Sequence, residues 1–591
     1  MAQRNVDELA SCVDRAQQAM VAGRNASGYW EGRLASSPLG TAVSLCALER
    51  EDISEARWAR AHAYLAKTQN ADGGWGDTEI SVSNLAASLL VQCADAAIPF
   101  LKEDARRRAQ AYTDNLGGVR EGLRRVYGKD LTFQVPIRMT AAYTRLAVNA
   151  ASGAAQPEHF PWSGVDALPF ELALAPRSLM GALRLPVVSY ALPALVSVGL
   201  SRHAQAPSWF APLRWWREHI ADRALEAILN MQPESGGYLE ASPITAFCLI
   251  GLKAAGRGDH AVARNALRFL VSTQRDDGSW PVEVNLSVWN TTRAIDALAA
   301  GGLLDTALTS RERATTRDWL LAQQCTARSV YSDTQPGGWG WNHLSGSVPD
   351  VDDTSGAIIA LRHLGVDEQH TSIVNGRRWL MDIQNRDGGF PTFCRGWNKL
   401  PFDKSAPDLT AHALRACPAA QQRATASALN YLSRIQNTDG SFAPLWFGCE
   451  AEPAARNLLY GTTSVLFALS LPYPAPIQDI RNRALSWLAS SQNSDGGFGG
   501  CVGAVSTAEE TGLALRALVA HGYTLDDPEC QRAAGWLAAR QRADGSWNPA
   551  PIGFYFAVLW YYEELYPLYY ALGGLSALAK TRHGIEAATA A

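Results

Sequence analysis

An all-α fold of two α/α barrels is predicted for this chain by three observations. A Gln–Gly–aromatic signature recurs along its length, the segments between copies have helical apolar spacing, and extended alternating segments are rare. The signature is Gln, three residues, Gly, one residue, then an aromatic. It reads QNADGGW at 69–75, QPESGGY at 232–238, QRDDGSW at 274–280 and QNRDGGF at 384–390. It returns as QNTDGSF at 436–442, QNSDGGF at 492–498 and QRADGSW at 541–547, with a degenerate QPGGW at 335–339. The last four regular copies begin 52, 56 and 49 residues apart, room for two helices and their turns.

Each copy follows an amphipathic run, such as ALRFLVSTQ, ALNYLSRIQ, ALSWLASSQ and AAGWLAARQ. Gly stops such a helix because it accepts backbone angles that other residues resist. The Gln side chain is expected to bond backbone at the end of a neighbouring helix, and the aromatic to stack over the preceding turn. Helical hairpins tied in this way close into a barrel, and 591 residues suffice for two. The repeat is read as architecture, without chemistry of its own. Between the copies at 69 and 232 lies the Pro-rich stretch EHFPWSGVDALPFELALAPRSL, expected to form an irregular wall.

Composition narrows the function. Charged residues make up 19% and hydrophobic residues 47%, the balance of a well-buried globular chain. A net charge of −4 offers no basic excess for nucleic acid. Ten Cys without a CxxC pair argue against a zinc ribbon and fit reduced thiols in a cytosolic protein. The opening MAQRNVDELASCVDRAQQAM lacks the pattern of a signal peptide. Leu185–Leu200 is apolar, but it is short for a span and holds two Pro, so a buried helix is expected. The distinctive feature is 19 Trp with 18 Tyr and 16 Phe, rigid apolar rings whose faces carry negative potential.

The sharpest motif is Pro349-Asp350-Val351-Asp352-Asp353-Thr354. Crowding and burial favour keeping at least one of these acids protonated, and a neutral carboxyl can donate a proton. TSGAIIALRHLG from Thr354 onward reads as a helix, whose dipole instead favours ionised acids at its start. The same pattern also serves as an N-cap or an Asp-rich divalent-ion site. A second element, SAPDLTAH, sets Asp408 and His412 four apart on one helix face. Asp408 could hold one ring nitrogen of His412 and leave the other for Asp352, and a satisfied structural histidine fits that spacing equally.

The repeat, DVDDT and DLTAH together resemble squalene–hopene cyclases and related bacterial class II terpene cyclases, from GYW at 28–30 to the Tyr-rich tail. The resemblance implies an intramolecular isomerase that protonates a polyprenyl alkene and closes it into fused rings, without a cofactor. It implies Asp352 as proton donor, Asp350 and Asp353 in support, and His412 with Asp408 behind it. It also implies a catalytic barrel from residues 1–30 and 289–591, a second inserted barrel over 31–288, and a cavity between them. Rings expected at the substrate are Trp289, Trp341, Phe393, Trp446, Tyr460 and Tyr190, with Phe554, Tyr555 and Tyr562 from the tail. Ring faces stabilise a migrating cation without capturing it. Expected partners are the polyprenyl hydrocarbon, the inner face of a membrane by peripheral contact, and a second copy of the chain; nucleic acid is not one.

The sequence departs from hopene-forming enzymes in its first half. Acids after GYW and after the first repeat do not align, and HAVARNALRFLVSTQ reads as an ordinary repeat helix where that family has a membrane-docking one. A squalene-like substrate is therefore set beside a shorter prenyl diphosphate or a prenylated aromatic. A diphosphate would require Mg²⁺ and basic partners, for which Arg124, Arg125 and Arg138 are candidates. A protein prenyltransferase lacks support, since no Asp-x-Cys with a downstream His is present. A non-catalytic lipid-binding relative would have little use for Asp352.

Overall fold

The computed structural model describes residues 2–148, 158–175, 188–417, 422–473, 477–555 and 559–590. Among these, helices dominate, and strands are limited to two- and three-residue antiparallel pairs. Six helices form a closed ring in which each packs on the next: Ser287–Ala300, Val351–His363, Pro407–Ala416, Leu458–Leu469, Ala508–Ala520 and Tyr566–Ala590, the last returning to the first. Outer helices back this ring, among them Ala2–Ala22 against Tyr566–Ala590. A second ring runs through Pro38–Ala47, Leu85–Ala97, Leu131–Tyr143, Val188–Gln205 and Ser242–Ala254. Each ring encloses its own buried apolar core. Inner helices such as Pro38–Ala47 are buried along their whole length, which is why they read as apolar all round.

The repeat explains how the rings hold. In every copy the Gln amide donates twice, once within its own turn and once to a neighbouring helix. Gln436 reaches Gly440 O at 2.9 Å and Ile480 O at 3.0 Å; Gln492 reaches Gly496 O at 2.8 Å and Glu529 O at 2.9 Å. Ile480 and Glu529 lie in the first turn of the next outer helix. The turn glycine takes a left-handed conformation, with φ of 97° at Gly440 and 92° at Gly496. Trp75, Trp280 and Trp547 each donate Nε1–H to the carbonyl ten residues earlier, at 2.7 to 2.8 Å, satisfying the end of the preceding helix. Trp30 does the same toward Met20 O, so GYW is a further copy that lacks its Gln.

The degenerate copy differs from its sequence reading. Gln324, not Gln335, bonds Gly337 O at 2.7 Å and Ser372 O at 2.9 Å, because the chain between them loops out without moving the Gln from its helix end. The Pro-rich stretch is irregular over 158–175, with short 3₁₀ turns at Trp162–Gly164 and Phe170–Leu174; 176–179 lie outside the described residues. Within Leu185–Leu200, Val188 onward is helical. The stretch containing HAVARNALRFLVSTQ forms the amphipathic outer helix Ala261–Thr273. No helix among the described residues is long and apolar enough to cross a membrane.

The aromatic of several copies also makes a bridge that matters for the site. Trp75 pairs with Asn84, Trp339 with Asp350, Phe390 with Ala406 and Phe498 with Thr507. Asn84, Asp350, Ala406 and Thr507 are the residues that begin inner helices. The repeat thus fixes where these inner helices start, and one of the starts is the acid motif.

Candidate active site

Asp350 is the N-cap of Val351–His363, and its side chain accepts from the Asp353 amide at 2.9 Å. Its own amide donates to Trp339 O at 3.0 Å, and the Trp339 amide donates to Thr354 Oγ1 at 2.9 Å. The helix begins at Val351, three residues before the sequence reading, which places Asp352 and Asp353 in its first turn. Asp350 and Asp353 are buried and share a side-chain hydrogen bond. Two carboxyls can bond each other only with a proton between them. Burial, then the charge of Asp353, pushes the Asp350 pKa far up; burial also lifts Asp353 to about 7. The dipole that favours ionised acids here is therefore outweighed by burial and crowding.

Asp352 opens toward a cavity and bonds His412 Nδ1 through Oδ1 at 2.8 Å. His412 is buried, and its pKa falls to about 4, first through burial and then through the Arg293 guanidinium. Arg293 Nη2 stands 3.1 Å from each ring nitrogen of His412, and its guanidinium carbon lies 4.0 Å from the Trp289 ring centre. Arginine has only donors, and with Nδ1 on Asp352 it is Nε2 that is left to accept from it. A hydrogen on Nδ1 is then directed at the Asp352 carboxyl.

Asp408 does not hold the histidine ring. Its Oδ2 accepts from the Leu445 amide at 3.3 Å, and its Oδ1 has no hydrogen-bond partner. The i, i+4 spacing puts both residues on one helix face, but Asp408 points to the loop while Arg293, from the helix two places round the ring, covers His412. Burial and the nearby Asp352 raise Asp408 to about 7. Arg293 was missed because NTTRAIDAL reads as an ordinary helix; its position one turn after Trp289 was the available signal.

The cavity in front of Asp352 is lined almost wholly by aromatic and aliphatic side chains. Phe133, Ile244 and Val282 come from one core, and Trp289, Phe447 and Tyr566 from the other. Of the rings expected at the substrate, Trp289, Trp341, Phe393, Trp446, Tyr190, Phe554 and Tyr555 line it. Trp446 Nε1–H donates to Thr392 Oγ1 at 2.8 Å, and Tyr190 stacks on Phe402 with centres 4.9 Å apart. Tyr460 does not line the wall. It stacks behind Phe447, ring centres 3.6 Å apart, so the residue next to Trp446 takes the place expected for it.

Tyr562 also lies off the wall, its hydroxyl donating to Glu79 at 3.2 Å. Leu559–Tyr561 is a short strand paired with Gly553–Tyr555, and it is Tyr561 that lines the cavity, stacking on Tyr555 at 4.5 Å. Arg124, Arg125 and Arg138 do not line it; Arg138 pairs with Asp166 at 2.9 Å. Glu283, absent from the sequence candidates, does line it.

Paired helical rings, a buried acid cluster and an aromatic chamber define a class II terpene cyclase, an intramolecular isomerase. A protein-family model described as the squalene-hopene cyclase C-terminal domain matches residues 284–583, and the chain belongs to that family. It is 26% identical over 613 residues to a probable squalene–hopene cyclase of Sinorhizobium fredii, covering 91% of this chain and 92% of that protein. It is 25% identical to the squalene–hopene cyclase of Alicyclobacillus acidocaldarius over 91% of this chain and 92% of that one. Its fold is shared with the ent-copalyl diphosphate synthase of Streptomyces platensis, at a TM-score of 0.51 and 20% identity over 98% and 99% of the two chains.

Proposed function

We propose that this cyclase acts on a squalene-like polyprenyl chain, with Asp352 as the proton donor. The observation that carries the reading is Asp352, bonded to His412 and open to an aromatic-lined cavity. The O–H proton of Asp352 passes to an alkene carbon, and the alkene π pair forms the new C–H bond. The Nδ1–H of His412 stays on the resulting carboxylate. The cation left on the substrate is attacked by the next alkene, and Trp289, Phe447 and Trp341 present ring faces to the charge. Loss of a proton or capture of water ends the cascade.

Residues 1–30 with 289–591, and 31–288, are the two domains in this reading, supported by the separate cores on which the wall residues sit. The reaction needs no metal or cofactor. Peripheral membrane contact delivers the substrate, and the supporting feature is a cluster of exposed rings at one helix start: Trp209, 90% exposed, with Phe210, Trp215 and Trp216. That surface is distinct from the Ala261–Thr273 helix considered in the sequence. The test is conversion of squalene by purified protein in detergent, with a chelator present. A polycyclic product is expected. Turnover confined to shorter prenyl chains, or lost with the chelator, refutes the substrate or the metal-free claim respectively.

A further inference from the structure

The cavity wall carries a polar group that a pure hydrocarbon would leave unused. Glu283 lies between the Trp280–Pro281 strand and the Ser287–Ala300 helix, and its backbone bridges Ala241. That bridge ties it to the start of the Ser242–Ala254 helix. It is nine-tenths buried, it lines the cavity, and its Oε2 has no hydrogen-bond partner. The Tyr555 phenol lies beside it and acts on its carboxyl. Among the described residues lining the cavity none is Lys or Arg, so no cation neutralises this group. Burial raises its pKa to about 8, which keeps it a neutral acid able both to donate and to accept.

A buried polar atom left unpaired costs free energy, and binding a hydrocarbon would seal it away from water as well. We propose that Glu283 and Tyr555 form a specificity-determining subsite for a neutral oxygen on the polyprenyl substrate, a hydroxyl, phenol or epoxide oxygen. The subsite rests on the cyclase reading and narrows its substrate class. It disfavours a diphosphate within the cavity, because none of the described residues lining that space is a Lys or Arg that could pair with an anion. It recognises the oxygen and takes no part in proton donation.

The test uses the full chain and two substrate pairs that differ by one oxygen: squalene against its 2,3-epoxide, and a tetraprenylbenzene against the corresponding phenol. Dissociation constants are read by tryptophan quenching in the Asp352→Asn background, so no turnover is needed. At least one oxygenated member should bind about 10- to 100-fold tighter than its partner. Glu283→Leu should remove that preference by weakening the oxygenated member and tightening the hydrocarbon, which no longer seals an unpaired carboxyl. Glu283→Gln, which keeps shape and a donor, should retain part of it, and it serves if the Leu variant does not fold. Equal binding within both pairs, or a preference that survives Glu283→Leu and Glu283→Gln undiminished, overturns the subsite. Failure of the wild-type chain to cyclise any of the four compounds, with the preference intact, would instead overturn the cyclase assignment and leave the subsite standing.

Discussion

The helices Ser287–Ala300, Val351–His363 and Pro407–Ala416 carry two buried polar clusters, and the clusters have opposite electrostatics. Toward the cavity, Asp350, Asp352 and Asp353 crowd together with His412 and Arg293. One or two turns further on, Asp296 receives Arg516 at 2.8 Å, Arg415 at 2.9 Å and His363 at 3.7 Å. Burial works against the charge of Asp296, but Arg415 and Arg516 outweigh it and hold its carboxyl well below the usual range. Burial and like charge do the reverse to Asp350 and Asp353. Depth of burial alone therefore does not make an acid reactive. The neighbours decide whether it is clamped as an anion or kept as a proton source.

The largest expected effect falls on the cavity cluster. Asp352→Asn should lower cyclisation by at least about 10³-fold while the unfolding midpoint stays put, because a general acid is lost and no core contact is. The counterpart, Asp296→Ala, should do the opposite. It strands two buried guanidiniums and should cost about 3–5 kcal/mol by urea unfolding, with the rate per folded molecule unchanged within about twofold. A large rate loss in that variant would merge the two clusters functionally.

Arg293 joins them, and Arg293→Met should reduce the rate about 10- to 100-fold, as losing a residue that orients another usually does. The pH profile separates this from a structural effect. His412 is held near 4 by burial and by Arg293, so without the guanidinium its pKa rises. The acid-side decline in rate should then begin at a higher pH than in wild type, because His412 charges sooner and no longer meets Asp352 as a neutral ring. An unshifted profile would show that Arg293 only fills space.

The smallest effect is on wild type. Asp353 gives up its proton at about 7, which places a negative charge in the acid cluster where proton transfer to the substrate would leave another. Rates should decline severalfold between about pH 7 and 8. Stability follows opposite signs at the two clusters. Asp353, raised from 3.8 to about 7, favours the fold at low pH and loses that contribution as pH rises through 7. Asp296, lowered from 3.8, contributes above that value and loses its contribution as pH falls below it.

The frame was readable from sequence because it is local and repeated. Gln, Gly and the aromatic act within one turn and one neighbouring helix, so spacing alone predicts the barrels. Asp352 and His412 were singled out by the resemblance of DVDDT and DLTAH to family motifs, since three crowded acids alone also suit an N-cap or a divalent-ion site. The partner of His412 was not, since Asp408 shares its helix face while Arg293 arrives from a helix more than a hundred residues away in the chain. Tyr561 and Tyr562 were exchanged because the facing of a short strand is set by its pairing with Gly553–Tyr555, which no periodicity in the tail reveals. Glu283 was invisible because only its burial in the cavity wall makes its unpaired oxygen unusual.

The account turns on a proton passing from position 352 to carbon, and isotope labelling reads that transfer directly. Cyclisation in D₂O should place one deuterium in each product molecule at the carbon that starts the cascade, and the Asp352→Asn variant should yield no labelled cyclic product. Cyclic product without deuterium at that carbon, or labelled product from the variant at the wild-type rate, would contradict it.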